Sequence, residues 1–294
     1  MTENTKIRDA WIKTTQVLLF RKVRAMQNRI YAEVLDTILS FSTDQENRLK
    51  VTAGNISMSD RVRLKINALL DKENKTLLSW LFKKFTELLH INSENFKSYD
   101  KFNDSIEQRA VKKIMLRYGY DVAKKQLIAG GYLSQIVSSE SISLMAARII
   151  NESISAQVSL PDFRRRFKQV FTGGKTGLGV VDSHFMRFTG DIFAEFDRAT
   201  NLEYANELDL EYFIYAGTEK DNTRQFCCEH LNNVYHVSKL KEWENKDWKG
   251  KNKNAPVAIA LGGYNCRHML NFISKELAEQ ISGGNYEKTN KGCQ

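Results

Sequence analysis

The sequence predicts a mostly α-helical protein, with a long helical N-terminal part followed by a small α+β C-terminal module that carries a Cys/His cluster. Three observations support this. Only two prolines occur in 294 residues, and proline is the main interrupter of the helical hydrogen-bond ladder. Apolar residues recur at helical spacing through most of the chain before Leu210. Beyond Leu210 the pattern changes to short aromatic runs, and all four cysteines, Cys227, Cys228, Cys266 and Cys293, lie there.

From Ile7 to Phe41, residues Trp11, Val17, Leu18, Val23, Met26, Ile30, Val34, Leu35 and Ile38 mark one face of a long amphipathic helix, with Lys and Arg between them. Comparable patterns predict helices over Asp60 to Leu89, Ser105 to Ala129, Ser141 to Gln157 and Pro161 to Phe171. Ser59 or Asp60 is the expected cap of the first of these, and Pro161 suits a first helical turn. A Gly-rich break at 173–179 precedes one more long helix, Val181 to Leu208. Glu211 to Ala216 reads as a strand ended by Gly217. A second short strand is expected around Asn233 to Val237, followed by a helix or turn with Trp243 and Trp248 and a Lys/Asn-rich loop at 249–254. A segment at Met269 to Ile273 and a short helix complete the module. The resulting division is a helical region at 1–172, a hinge and long helix at 173–210, an α+β module at 211–281 and a flexible tail at 282–294.

The composition, 42% hydrophobic and 11% aromatic, is that of a chain with a real core rather than a disordered one. A formal charge of +9 favours polyanionic neighbours such as nucleic acid. The charge is spread along the chain and marks no single binding block. No apolar run reaches the length of a membrane span, and the N-terminus has no apolar signal core, so synthesis in a cytoplasm and no membrane partner are expected.

Gly174-Lys175-Thr176 imitates the end of a phosphate-binding loop, but Gln169 stands where that motif needs its first glycine, and a helical pattern precedes it. A hinge is the expected role. The chemistry-bearing residues lie instead in Asp221-Asn-Thr-Arg-Gln-Phe-Cys-Cys-Glu-His230 and Gly262-Gly-Tyr-Asn-Cys-Arg-His268. Two loop-borne pairs of soft ligands can supply a tetrahedral zinc site, with Cys227 (or Cys228), His230, Cys266 and His268 as ligands. Other uses stay open. Cys227 and Cys266 could form a disulfide or pack as buried thiols, and a catalytic use would take Cys227 or Cys228 with His230 or His268, or His268 with Arg267 acting on a phosphodiester.

The run from Tyr204 to Cys227, followed by Gly262 to His268, resembles the C-terminal signature of phage head morphogenesis proteins, the minor head proteins similar to protein F of phage Mu. The likeness is nearest to versions from phages of Bacteroidetes-type hosts. Asp221, Arg224, Cys227, Gly263, Asn265, Cys266, Arg267 and His268 occupy its motif positions. Gln225, where relatives often carry proline or serine, and the doubled Cys227-Cys228 depart from it. The resemblance is specific over about Tyr204 to Phe272. It implies a structural, non-enzymatic minor capsid protein of the virion, housed in the phage head interior and involved in head assembly and DNA packaging. The implied partners are the portal protein or the major capsid protein of the inner shell, with non-specific contact to packaged DNA. Because some minor head proteins carry toxin-like modules, an enzyme of nuclease or ADP-ribosyltransferase type is the alternative.

Overall fold

Two long helices open the chain, α1 (Glu3–Leu39) and α2 (Ala53–Glu94). The computed structural model describes residues 3–174 and 177–282. Leu19, Val23, Met26, Ile30, Val34 and Ile38 form the buried stripe of α1 at the expected three- and four-residue steps. In α2 the stripe runs through Val62, Ile66, Leu70, Leu77, Leu81, Phe85 and Leu88. The expected cap at Ser59 or Asp60 is corrected, since α2 starts earlier. Thr52 Oγ1 accepts the Asn55 amide there, and Ser59 is buried inside the helix.

Helix α3 (Asp104–Arg117) begins at Asn103, whose side chain accepts the amides of Ser105 and Ile106. It ends well before Ala129, where the apolar pattern had placed its end. Gly119, at φ +82°, turns the chain into a small antiparallel hairpin of β1 (Tyr120–Asp121) and β2 (Gln126–Leu127). Asp121 stabilises the turn by accepting the amides of Ala123 and Lys124. Helices α4 (Tyr132–Ile136), α5 (Glu140–Ser155), α6 (Leu160–Thr172) and α7 (Val180–Thr189) follow. Pro161 sits in the first turn of α6, as expected, behind the Ser159 cap. The helix expected over Val181 to Leu208 is two helices: after Gly190 the chain restarts as α8 (Ile192–Glu207). A helix rather than a strand precedes the glycine break, and Lys175 and Thr176 lie outside the described residues.

The chain forms two compact units. One comprises the described residues of Met1–Thr15, Lys83–Gly131 and Asp191–Gln294, and the other Gln16–Phe82 and Tyr132–Gly190. In the second unit, Phe163, Phe167 and Phe171 repeat every four residues along α6 and are fully buried, with Phe41 against Phe163 and Tyr31 against Phe167. In the first unit, Phe85 stacks on Phe196 at 4.1 Å between centroids and meets Phe193 and Tyr118. Tyr204 packs edge-on against Phe96 and Phe102.

The α+β module of the first unit is built on β3 (Tyr212–Ala216), the central strand of an antiparallel sheet ordered β4-β3-β5, with β4 at Val234–His236 and β5 at Met269–Ile273. Phe213 pairs with Tyr235 on one side and Phe272 on the other. Alternation along β3 sends Phe213 and Tyr215 to the face covered by Trp243, and Tyr212 and Ile214 to the face holding Val234, Ile273 and Ala278. The connections carry α9 (Gln225–His230), α10 (Ser238–Glu244) and α11 (Val257–Ala260), and α12 (Lys275–Ser282) closes the described chain. The tail expected from Ser282 onward lies, after that residue, outside the described residues.

Candidate metal centre

Strand β3 and the turn into β5 bring two distant cysteines together. Cys227 is on α9, and Cys266 and His268 lie just before β5. Their ligand atoms all fall within 4.8 Å of one another, and all three residues are buried. Cys227 Sγ and Cys266 Sγ are 3.9 Å apart, and Cys266 Sγ and His268 Nδ1 are 3.6 Å apart. A tetrahedral zinc ion with bonds of about 2.3 Å to sulfur and 2.0–2.1 Å to nitrogen would set these separations at about 3.8 and 3.6 Å. Both cysteines are free thiols, and their separation is far from the ~2.05 Å of a disulfide bond.

Three further features fit a metal ion. The buried His268 ring has only a weak sulfur contact at Nδ1, which a metal ion between the two groups would replace. Two glycines make room for the group. A Cβ at Gly262 would stand 2.3 Å from Cys227 Sγ, and one at Gly217 would stand 2.4 Å from the His268 ring. The thiols also share a proton unequally. The hydrogen bond from Cys227 holds Cys266 well below the ordinary thiol value, aided by His268 and Arg198, while that same contact and burial push Cys227 up. Tyr215 donates its hydroxyl to Cys227 Sγ at 3.3 Å and stacks on His268.

The loop at 261–268 is held from several sides. Arg198, buried on α8, donates to the carbonyls of Ile259, Cys266 and His268. Trp248 Nε1 donates to the Gly262 carbonyl, and the Asn265 amide donates to Asp191 Oδ2 at 2.5 Å. Burial raises the Asp191 carboxyl above its ordinary value, and that amide opposes the shift. Leu261, Gly263 and Asn265 all have positive φ, at 46°, 106° and 58°. At Gly263 a side chain is impossible, because a Cβ would lie 1.7 Å from the Gly250 carbonyl oxygen.

The structure brings together three of the four expected ligands. His230 stands apart, its Nδ1 2.8 Å from the Tyr235 hydroxyl and its ring against Phe226 and Trp243. Burial lowers its pKa to about 4. Cys228 is outside the group, so of the adjacent cysteines Cys227 is the candidate ligand. Arg224 donates Nη2 to the Tyr264 carbonyl and so braces the same loop, whereas Asp221, Asn265 and Arg267 are exposed. Sequence reasoning missed Arg198, Tyr215, Gly217, Trp248 and Asp191. The only available signal for Arg198 was a charged residue in α8 among Phe193, Phe196 and Tyr204, a stretch otherwise suited to burial.

Comparison with known proteins gives no match to a family model, a curated protein or a solved structure. The fold and the site therefore define the class on their own terms: a mostly helical protein with a small α+β module whose buried Cys227, Cys266 and His268 could hold a metal ion.

Proposed function

We propose that this chain is a minor head protein of a tailed bacteriophage, acting in head assembly on the portal protein or the inner shell, with a C-terminal module stapled by structural zinc. The observation that carries this reading is the meeting of Cys227, Cys266 and His268, with Cys266 Sγ 3.9 Å from Cys227 Sγ and 3.6 Å from His268 Nδ1. These three are positions of the motif through which the segment resembles head morphogenesis proteins. A metal clamp suits an assembly protein because it cross-links α9 to the loop before β5 and so rigidifies a small module.

Zinc is favoured among metals because two thiolates and an imidazole match its preferred donors, while magnesium and calcium take oxygen ligands. The module's location is then the virion, in the head interior, after synthesis in the host cytoplasm. Packaged DNA is a further partner, reached through the positive surface charge.

A second reading, the toxin-like enzyme, is favoured by the one coordination position that three protein ligands leave open. Against it stand the absence of a spare acid or base among the residues lining the site. Asp9, the one carboxylate there among the described residues, pairs with Lys13. We therefore retain the assembly reading. Mass spectrometry of purified particles of the encoding phage tests it. The protein is expected at a few copies per head, co-purifying with the portal. Its absence from particles would contradict the reading.

A further inference from the structure

The three candidate ligands also line a cleft of about 480 Å³, together with Lys220, Arg224 and Arg267. We propose that this cleft binds a phosphate group, whose oxygens are held by Lys220, Arg224 and Arg267 and by the fourth coordination position of the metal. The last of these contacts rests on the zinc reading above.

Lys220 and Arg267 have no ion-pair partner among the described residues, and Arg224 donates to a neutral carbonyl, that of Tyr264. Among the described residues of the lining Asp9 is the one carboxylate, and it is neutralised by Lys13. Two thiolates cancel a divalent ion, so the cleft keeps the charge of its three cations. Among the described residues an anion entering it meets no unpaired carboxylate.

A tetrahedral ion with two sulfur ligands and one nitrogen has one position left, the arrangement of zinc sites that take water or substrate. Cys227, Cys266 and His268 line the same cleft as the three cations, and the proposal places that position on the cleft side. A phosphate has enough oxygens for the metal and for two or three guanidinium or ammonium groups at once. A carboxylate holds its oxygens in one plane, a poorer fit than a tetrahedral anion to donors arranged around an ion. The volume is in the range of small-molecule sites, so a phosphate carrying a nucleoside fits as well as the free ion.

The test uses the full chain loaded with cobalt(II) in place of zinc, with inorganic phosphate and thymidylyl-thymidine as probes and acetate as the competing anion. Phosphorus NMR relaxation reports approach to the paramagnetic ion, and calorimetry reports affinity. Enhanced relaxation is expected for at least one phosphate probe. Binding should be about tenfold weaker in Arg267→Ala and in Lys220→Ala, each the loss of one charge-assisted contact. Both variants should keep their metal, because neither residue is a ligand. Inorganic phosphate alone would identify the free anion as ligand, and the dinucleotide would identify a phosphodiester. The cleft assignment is overturned if metal-loaded protein leaves phosphorus relaxation unchanged, if acetate binds as tightly, or if the variants bind like the parent. In those cases the metal reading survives. A chain that takes up no metal overturns both, and metal analysis detects that failure separately.

Discussion

Arg198 donates one guanidinium nitrogen to both the Cys266 and the His268 carbonyl, at 3.0 and 3.1 Å, so a single buried cation on α8 fixes the backbone that carries two candidate ligands. Replacing it with Met should leave three buried carbonyls without their donor. The expected cost is about 2–4 kcal/mol of stability, given roughly 1–3 kcal/mol for each buried group left unpaired and partial relaxation. Zinc affinity should fall at least tenfold. Arg198→Lys should not rescue it, because an ammonium lacks the planar fork. Denaturant unfolding and competitive zinc titration check both effects, and an affinity unchanged in Arg198→Met would remove the positioning role.

The glycines around the site predict a steric contrast. Gly262→Ala and Gly217→Ala place a Cβ within 2.3 Å of Cys227 Sγ and 2.4 Å of the His268 ring. Each should therefore lose tight metal binding. Gly54→Ala, where the nearest atom is an ordinary 3.7 Å away in the first turn of α2, should leave metal content unchanged and alter stability by less than about 1 kcal/mol. Metal analysis of the three purified variants distinguishes these outcomes.

A second anchor ties α1 to α8. Arg8 donates to both Asp197 oxygens, at 2.9 and 2.6 Å, with both residues buried, and Asn271 of β5 accepts from the same guanidinium and donates to Thr5. Arg8→Met alone should cost about 3–5 kcal/mol, because it strands a buried carboxylate. Adding Asp197→Leu should recover most of that loss. A double variant as unstable as the sum of the two single ones would show that the pair does not act as a unit.

Acid should weaken the fold through His230. Its pKa falls from 6.5 in the unfolded chain to about 4 in the fold because burial disfavours the charged ring. The unfolded state therefore takes up the proton first. The stabilisation is complete above pH 6.5, declines as pH drops, and is lost once pH passes below about 4. Burial lowers His184 in the same direction. His230 itself contributes on the order of 2–3 kcal/mol, the full shift being discounted because its ring is only partly buried. His230→Gln, compared with the parent between pH 7.5 and 4.5 by denaturant unfolding, should show a shallower loss. Metal competition is common to both proteins and cancels in the difference.

Much of this was legible in the sequence, because the signals were local. The helical stripe through Val23, Met26, Ile30 and Val34 depends on spacing within one helix, and the aromatic run Tyr212-Phe-Ile-Tyr215 could be read as a strand by itself. Cys227, Cys266 and His268 were identifiable because soft ligands are rare and clustered. The rest required three-dimensional neighbours. Nothing near Arg198 announces carbonyls about seventy residues away, and Arg8 gives no hint of Asp197. His230 looked like a ligand by spacing, yet its helix turns the ring toward Trp243 and Tyr235. The hairpin after α3 and the break at Gly190 were missed because apolar periodicity continues through both, and single turn residues decided the outcome.

The measurement that tests the central claim most directly is metal content by mass spectrometry, with thermal unfolding before and after chelation, on the parent and on Cys227→Ser and Cys266→Ser. The account predicts close to one zinc per chain, lost in both variants, and a marked fall in unfolding temperature on chelation. A parent protein that contains no metal and unfolds at the same temperature with and without chelator would contradict it.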